Sequence, residues 1–115
     1  MAVTVTIWHN PRCSKSRQTL ALLRENGVEP ELRLYLEDAP SPAELDAALE
    51  ALGLPPSGLV RKGEAEFKAL GLKDAPEEAV LAAMAAHPRL IERPVVFKGG
   101  RAVLGRPPEA VLELL

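Results

Sequence analysis

Apolar and hydroxyl residues alternate from Val3 to Trp8, where Val-Thr-Val-Thr-Ile-Trp sets β-branched side chains at a period of two, and the run reads as a strand. It ends at His9-Asn10-Pro11, where proline supplies turn chemistry. From Ser14 to Asn26 the period lengthens to that of a helix, with Thr19, Leu20 and Leu23 on one side and Lys15, Arg17, Arg24 and Glu25 left to water. Gly27 stands where a left-handed residue closes such a helix. Leu32, Leu34 and Leu36 then alternate with Glu31, Arg33 and Tyr35 and predict a second strand. The opening segment is therefore a β-α-β unit, whose crossover is right-handed.

The middle of the chain changes character. Ser41-Pro42-Ala43-Glu44 is a capping box with proline at the first helical position, and Leu45, Ala48, Leu49 and Leu52 continue as one apolar stripe up to Gly53. Pro55-Pro56-Ser57-Gly58 reads as a break, and Leu59 to Leu70 as one or two short helical pieces ended by Gly71. Pro76-Glu77-Glu78 opens a helix carrying Val80, Leu81 and Met84, stopped by His87-Pro88. Strand character returns at Pro94 to Phe97. Gly99-Gly100 predicts a two-residue hairpin turn, and Arg101 to Leu104 runs back antiparallel. After Gly105, Pro107-Pro108-Glu109 opens a last helix with Val111, Leu114 and Leu115 inward. The order β-α-β, helical insertion over about 41–88, β-β-α predicts an α/β protein with a four-stranded mixed sheet flanked by helices, the plan of the thioredoxin-like fold in a single domain over 1–115.

Composition narrows the function. Lys+Arg 14 against Asp+Glu 16 leave a formal net charge of −2, with no basic surplus for nucleic acid, and 3% aromatic residues are too few for base stacking. Hydrophobic residues at 47% suffice for a core without cross-links in a chain of 115 residues. No apolar run approaches the ~20 residues of a membrane span, and the N-terminus lacks the charged start and apolar stretch of a signal peptide. A single cysteine, Cys13, excludes an internal disulfide and fits a cytoplasmic protein.

Cys13 lies in Asn10-Pro11-Arg12-Cys13-Ser14-Lys15-Ser16-Arg17, between a strand end and a helix start. Unpaired amides and the macrodipole favour negative charge there, and Arg12, Lys15 and Arg17 add cations, so the thiol is expected below its usual pKa of ~8.5. The same place can bind an oxyanion, with hydroxyls of Ser14 and Ser16 as added donors. Arg61, Arg93 and Arg106 each sit at a break in the chain, where guanidinium forks can reach a tetrahedral anion. Trp8 and Met84 read as core residues. Cys13 and His9 are too few to ligate a metal, and no bound cofactor is expected.

These residues resemble the glutaredoxin-dependent arsenate reductase family. The resemblance spans the chain: Thr6-Ile7-Trp8-His9-Asn10-Pro11-Arg12-Cys13 with Ser16-Arg17, Leu34-Tyr35-Leu36-Glu37, Leu59-Val60-Arg61-Lys62, Ile91-Glu92-Arg93-Pro94-Val95-Val96 and Gly105-Arg106-Pro107. It implies Cys13 as nucleophile, Arg61, Arg93 and Arg106 as oxyanion-binding arginines, and Arg93-Pro94 as a cis-proline corner facing the cysteine. His9 matches a histidine beside the cysteine loop, placed either to hydrogen-bond near the thiolate or to pack the loop. The substrate implied is arsenate, and the external reductants are glutathione and glutaredoxin. Two departures are visible: Ser14-Lys15 stand where well-characterised members carry smaller, uncharged residues, and the chain ends soon after the last helix. The alternatives are a glutathione-linked thiol oxidoreductase of another substrate, with Ser16 in place of a resolving cysteine, and a non-enzymatic adaptor of the kind that contacts RNA polymerase through this fold. The three arginines favour the oxyanion enzyme over a disulfide exchanger, which does not need them.

Overall fold

Four short runs make the sheet: β1 (Val5–Trp8), β2 (Glu31–Arg33), β3 (Val95–Lys98) and β4 (Arg101–Leu104), in spatial order β2-β1-β3-β4. The structure is a computed structural model and describes residues 4–115. The predicted start of the first strand at Val3 lies outside the described residues. β1 pairs parallel with β2, Ile7 opposite Leu32, and antiparallel with β3, Ile7 opposite Val96. A parallel pair needs a crossover, and α1 (Ser14–Glu25) provides it. β3 and β4 form the hairpin, turning on Gly99 at φ 62°. This is the mixed sheet of the thioredoxin-like fold.

The chain folds as two compact units, one ending at Asp38 and resuming from Arg93 to Leu115, the other Ala39–Glu92. In the sheet unit, the period of two on β1 sends Val5 and Ile7 to one face, where they meet Val96, Leu20 and Leu23. A 3₁₀ helix, Pro108–Leu114, closes that core. An α-helix was expected there with Leu115 inward; the structure instead buries Pro108, Val111 and Leu114 and exposes Leu115. Spacing of three explains the difference, because a 3₁₀ helix has three residues per turn and aligns those positions. On the other face Trp8 lies 4.9 Å from Phe97, ring centre to ring centre, and the Arg33 guanidinium sits 5.9 Å above the indole.

The second strand departs from its pattern. β2 holds only three residues, after which the chain turns, with the N–H groups of Glu37 and Asp38 both donating to the Leu34 carbonyl at 2.9 Å. Leu32, Leu34 and Leu36 are 44%, 36% and 41% exposed, whereas Tyr35 is 1% exposed. An edge strand has one partner to fix it, and here the large ring of Tyr35 occupies the buried position.

The helical unit contains α2 (Pro42–Leu52), α3 (Pro56–Leu59), α4 (Ala65–Ala69) and α5 (Glu77–Ala86). The capping box is formed: the Glu44 amide donates to Ser41 Oγ at 3.1 Å and the Ser41 amide to Glu44 Oε1 at 3.0 Å. The expected break at Pro55-Pro56-Ser57-Gly58 contains the start of α3, because the Glu77 carboxylate accepts from the Ser57 amide at 2.8 Å and from its hydroxyl at 2.7 Å. α5 packs against α2, α3 and the turn Pro88–Leu90. A single antiparallel bridge joins Val60 to Ile91.

Gly105 fastens the end of β4 to α1. Its amide donates to the Pro94 carbonyl at 2.8 Å, and a Cβ there would stand 2.7 Å from Thr19 Oγ1 and 2.8 Å from Pro94 Cγ. Thr19 is fully buried and its hydroxyl donates to the Lys15 carbonyl at 2.8 Å, so it has little room to yield. Gly105→Ala is expected to lower stability by about 1–3 kcal/mol, the usual cost of overpacking. Urea unfolding reads this as a lower midpoint at unchanged m-value, and an unmoved midpoint would show that Thr19 and Pro94 relax freely.

Candidate active site

Cys13 is the N-cap of α1, with extended backbone at φ −95° and ψ 123°. Its carbonyl accepts the Arg17 amide at 3.0 Å, and its own amide donates to the Asn10 carbonyl at 3.0 Å. The side chain therefore projects toward the unpaired amides of the first turn. Sulfur forms no cap hydrogen bond of regular geometry here, yet the amides of Ser16 and Lys15 lie against it. Burial pushes the Cys13 thiol up; the Ser16 amide, the Arg93 charge, the Lys15 amide and a hydrogen bond from Arg93 together outweigh it and leave the thiol below its ordinary value. The residue is only 8% exposed.

The loop that presents Cys13 is tied at several points. Asn10 Oδ1 accepts the Arg12 amide at 3.0 Å, and Arg17 Nη1 donates to the Pro11 carbonyl at 2.9 Å. Ser16 Oγ accepts the Asn10 amide at 3.0 Å and lies 2.7 Å from His9 Nδ1. Burial, then the charges of Arg24 and Arg17, push His9 below its ordinary range. A neutral imidazole with its proton on Nε2 accepts the Ser16 hydroxyl proton at Nδ1, which completes the chain Asn10 amide, Ser16 hydroxyl, His9 ring. His9 thus sits in the loop's own hydrogen-bond network.

On the opposite side of the sulfur stands the corner leading into β3. The Arg93-Pro94 bond is cis, as the resemblance implies, and so is Arg106-Pro107. Arg93 faces Cys13 from this corner, and Arg106 Nη1 donates to the Arg93 carbonyl at 3.3 Å. The Gly105 contact with Pro94 sets the two arginine-bearing segments side by side. A thiol eased toward its anion, two helix amides and a guanidinium in one place form an arrangement that can attack and hold a small tetrahedral oxyanion.

The remaining expected residues fall differently. Ser14 is exposed on the first turn. Ser16 is fully buried with its hydroxyl engaged by His9 and Asn10, so its amide, rather than its hydroxyl, serves the sulfur. Arg17 is committed to the Pro11 carbonyl. Arg61 lies in the helical unit, 2.8 Å from Glu64, 3.6 Å from Glu92 and 3.4 Å from the Arg89 carbonyl. Two contributors escaped the sequence reading, Asn10 as the hub of the loop and Thr19 as the wall against Gly105. The Asn-Pro pair signals a turn, which points to Asn10; Thr19 carries no local signal.

A thioredoxin-like sheet with one thiol at the start of its crossover helix, and a guanidinium facing it, defines a thiol protein of the thioredoxin-like fold. The ArsC family model matches residues 8–114, and the chain belongs to the ArsC family. It is 42% identical over 116 residues to an arsenate reductase of Haemophilus influenzae, with 98% of this chain and 100% of that protein covered. It is 51% identical over 118 residues to the Escherichia coli K12 protein named uncharacterized protein YfgD, covering 100% and 99% of the two chains. The solved structure of an arsenate reductase from Vibrio cholerae superposes with a TM-score of 0.95 at 48% identity, over 100% of both chains.

Alkylation of Cys13 against pH is expected to give a midpoint clearly below ~8.5, moving upward in Arg93→Ala as the cation is lost. A wild-type midpoint at the ordinary thiol value would remove the helix amides and Arg93 from the account.

Proposed function

We propose that the protein reduces arsenate to arsenite through its one thiol. The observation that carries this reading is the place of Cys13 at the N-terminus of α1 with Arg93 facing it, in a chain of the ArsC family. Arsenate has the charge and shape for the Ser16 and Lys15 amides and for the guanidinium groups of Arg93 and Arg106. The Cys13 thiolate attacks arsenic; an S–As bond forms, an As–O bond breaks, and the oxygen leaves as hydroxide or, once protonated, water. The arginines stabilise charge on the remaining oxygens.

Reduction from As(V) to As(III) takes two electrons, and one thiol supplies one of them on the way to a disulfide. An external thiolate therefore attacks Cys13 sulfur: an S–S bond forms, the S–As bond breaks, and its electron pair stays on arsenic as arsenite. A further thiol then splits the mixed disulfide and restores Cys13. Glutathione fits the first external role and glutaredoxin the second, as the family resemblance implies. The same resemblance implies Arg61 as a third oxyanion-binding arginine; within the helical unit its guanidinium lies 2.8 Å from Glu64 and 3.6 Å from Glu92.

Arsenite production from arsenate is to be followed with glutathione, glutaredoxin and an NADPH-coupled disulfide reductase. Turnover that vanishes in Cys13→Ser is the expected result, and no turnover by fully reduced wild-type protein would overturn the reading. Arg93→Ala is expected to weaken arsenate binding more than tenfold, a charge-assisted hydrogen bond being worth ~1.5–3 kcal/mol. Titration calorimetry measures this, and Arg61→Ala in the same titration tests the third arginine; affinity unchanged in either variant removes that residue from the site.

A further inference from the structure

Beside the cysteine loop, the sheet unit has a cleft of about 420 Å³ lined by the apolar Leu34 and Leu36 and by the charged Arg12 and Glu37. Its remaining wall is the His9–Pro11 loop. The leucines are those that the turn after β2 leaves in water, and β2 is an edge strand with no pairing partner but β1 among the described residues. No ion pair holds either Arg12 or Glu37 among the described residues. A cation, an anion and an apolar lining in one small depression form a surface for a ligand that carries both charges itself. Arg12, which lines the cleft, is the residue before Cys13, and consecutive Cα atoms are about 3.8 Å apart.

We propose that this cleft binds the small zwitterionic thiol that resolves the Cys13 adduct, with a ligand carboxylate on Arg12, a ligand ammonium on Glu37 and its carbon chain on Leu34 and Leu36. The proposal rests on the arsenate reading for the reaction it serves, and on the cleft alone for binding. The volume lies in the range of small-molecule pockets, whereas a stable protein contact needs ~800 Å² of surface from each partner. The single cysteine creates the need, since the second thiol must come from outside the chain. A site that presents the thiol beside the adduct turns a collision between two solutes into a reaction within one complex.

Glutathione is the probe for turnover and S-methylglutathione, which cannot react, the probe for binding. Leu36→Glu and Glu37→Lys change exposed side chains and leave Cys13 and the arginines untouched. Each is expected to raise the KM for glutathione, by about tenfold for Leu36→Glu, with the KM for arsenate and the rate of Cys13 alkylation unchanged. In NMR titrations of Cys13→Ser protein, S-methylglutathione is expected to move the amide signals of Arg12, Leu34, Leu36 and Glu37. An unchanged KM for glutathione in both variants, or shifts confined to other residues, would overturn the proposal. So would variants that raise only the KM for glutaredoxin, which would assign the face to a protein. Binding at the cleft without any arsenate turnover would sustain the site while refuting the arsenate reading; turnover without binding there would do the reverse.

Discussion

A thiol that is nearly out of contact with water becomes easier to ionise only where charges that do not move favour its anion. At Cys13 burial opposes the thiolate, and the opposing forces are two amides of the first turn of α1 and the guanidinium of Arg93. None of these is supplied by a neighbour in sequence acting alone. The amides exist because a helix starts at Ser14, and Arg93 arrives from the far end of the sheet unit, 80 residues along the chain (13 to 93). The rest of the sheet unit can be understood as the frame that keeps these groups around the sulfur.

Two mechanical arrangements do this. The loop is held from within by Asn10, Ser16, His9 and Arg17, whose hydrogen bonds join one another and the backbone between residues 9 and 17. The corner is held from outside by the absence of a side chain at Gly105, which lets β4 approach Pro94 and Thr19 closely enough for an amide hydrogen bond. Arg106, the next residue, is thereby brought to the Arg93 carbonyl. The placement of Arg93 and Arg106 thus depends on packing at residues away from the sulfur.

Much of this was legible in the sequence because it is local. Period and capping residues placed β1, α1, α2, α5 and the β3-β4 hairpin, and the family's motifs singled out Cys13, Arg93 and Arg106. What could not be read was whatever depends on partners distant in the chain. The alternation at Leu32, Leu34 and Leu36 has the period of a strand but carries no statement of which side is buried, and Tyr35 settled it. Pattern alone could not tell a 3₁₀ from an α-helix at Pro108–Leu114, since one apolar position in three suits both for two turns. Ser16 looked like a free hydroxyl because its two partners, His9 and Asn10, face it only once the loop has folded back.

That last residue has a wider meaning. Position 16 is where a second thiol would stand in a Cys-x-x-Cys protein, and here an oxygen fills it with a hydrogen bond on either side. Sulfur is a weak donor and a weak acceptor, so a cysteine at 16 would loosen the very loop that presents Cys13. The loop is therefore organised around a hydroxyl, and its hydrogen bonding as well as the cysteine count fits the proposed use of thiols from other molecules. In the proposed cycle, the oxidised half belongs to a complex of two molecules, and its lifetime would follow the supply of thiol in the surroundings rather than any property of the folded chain.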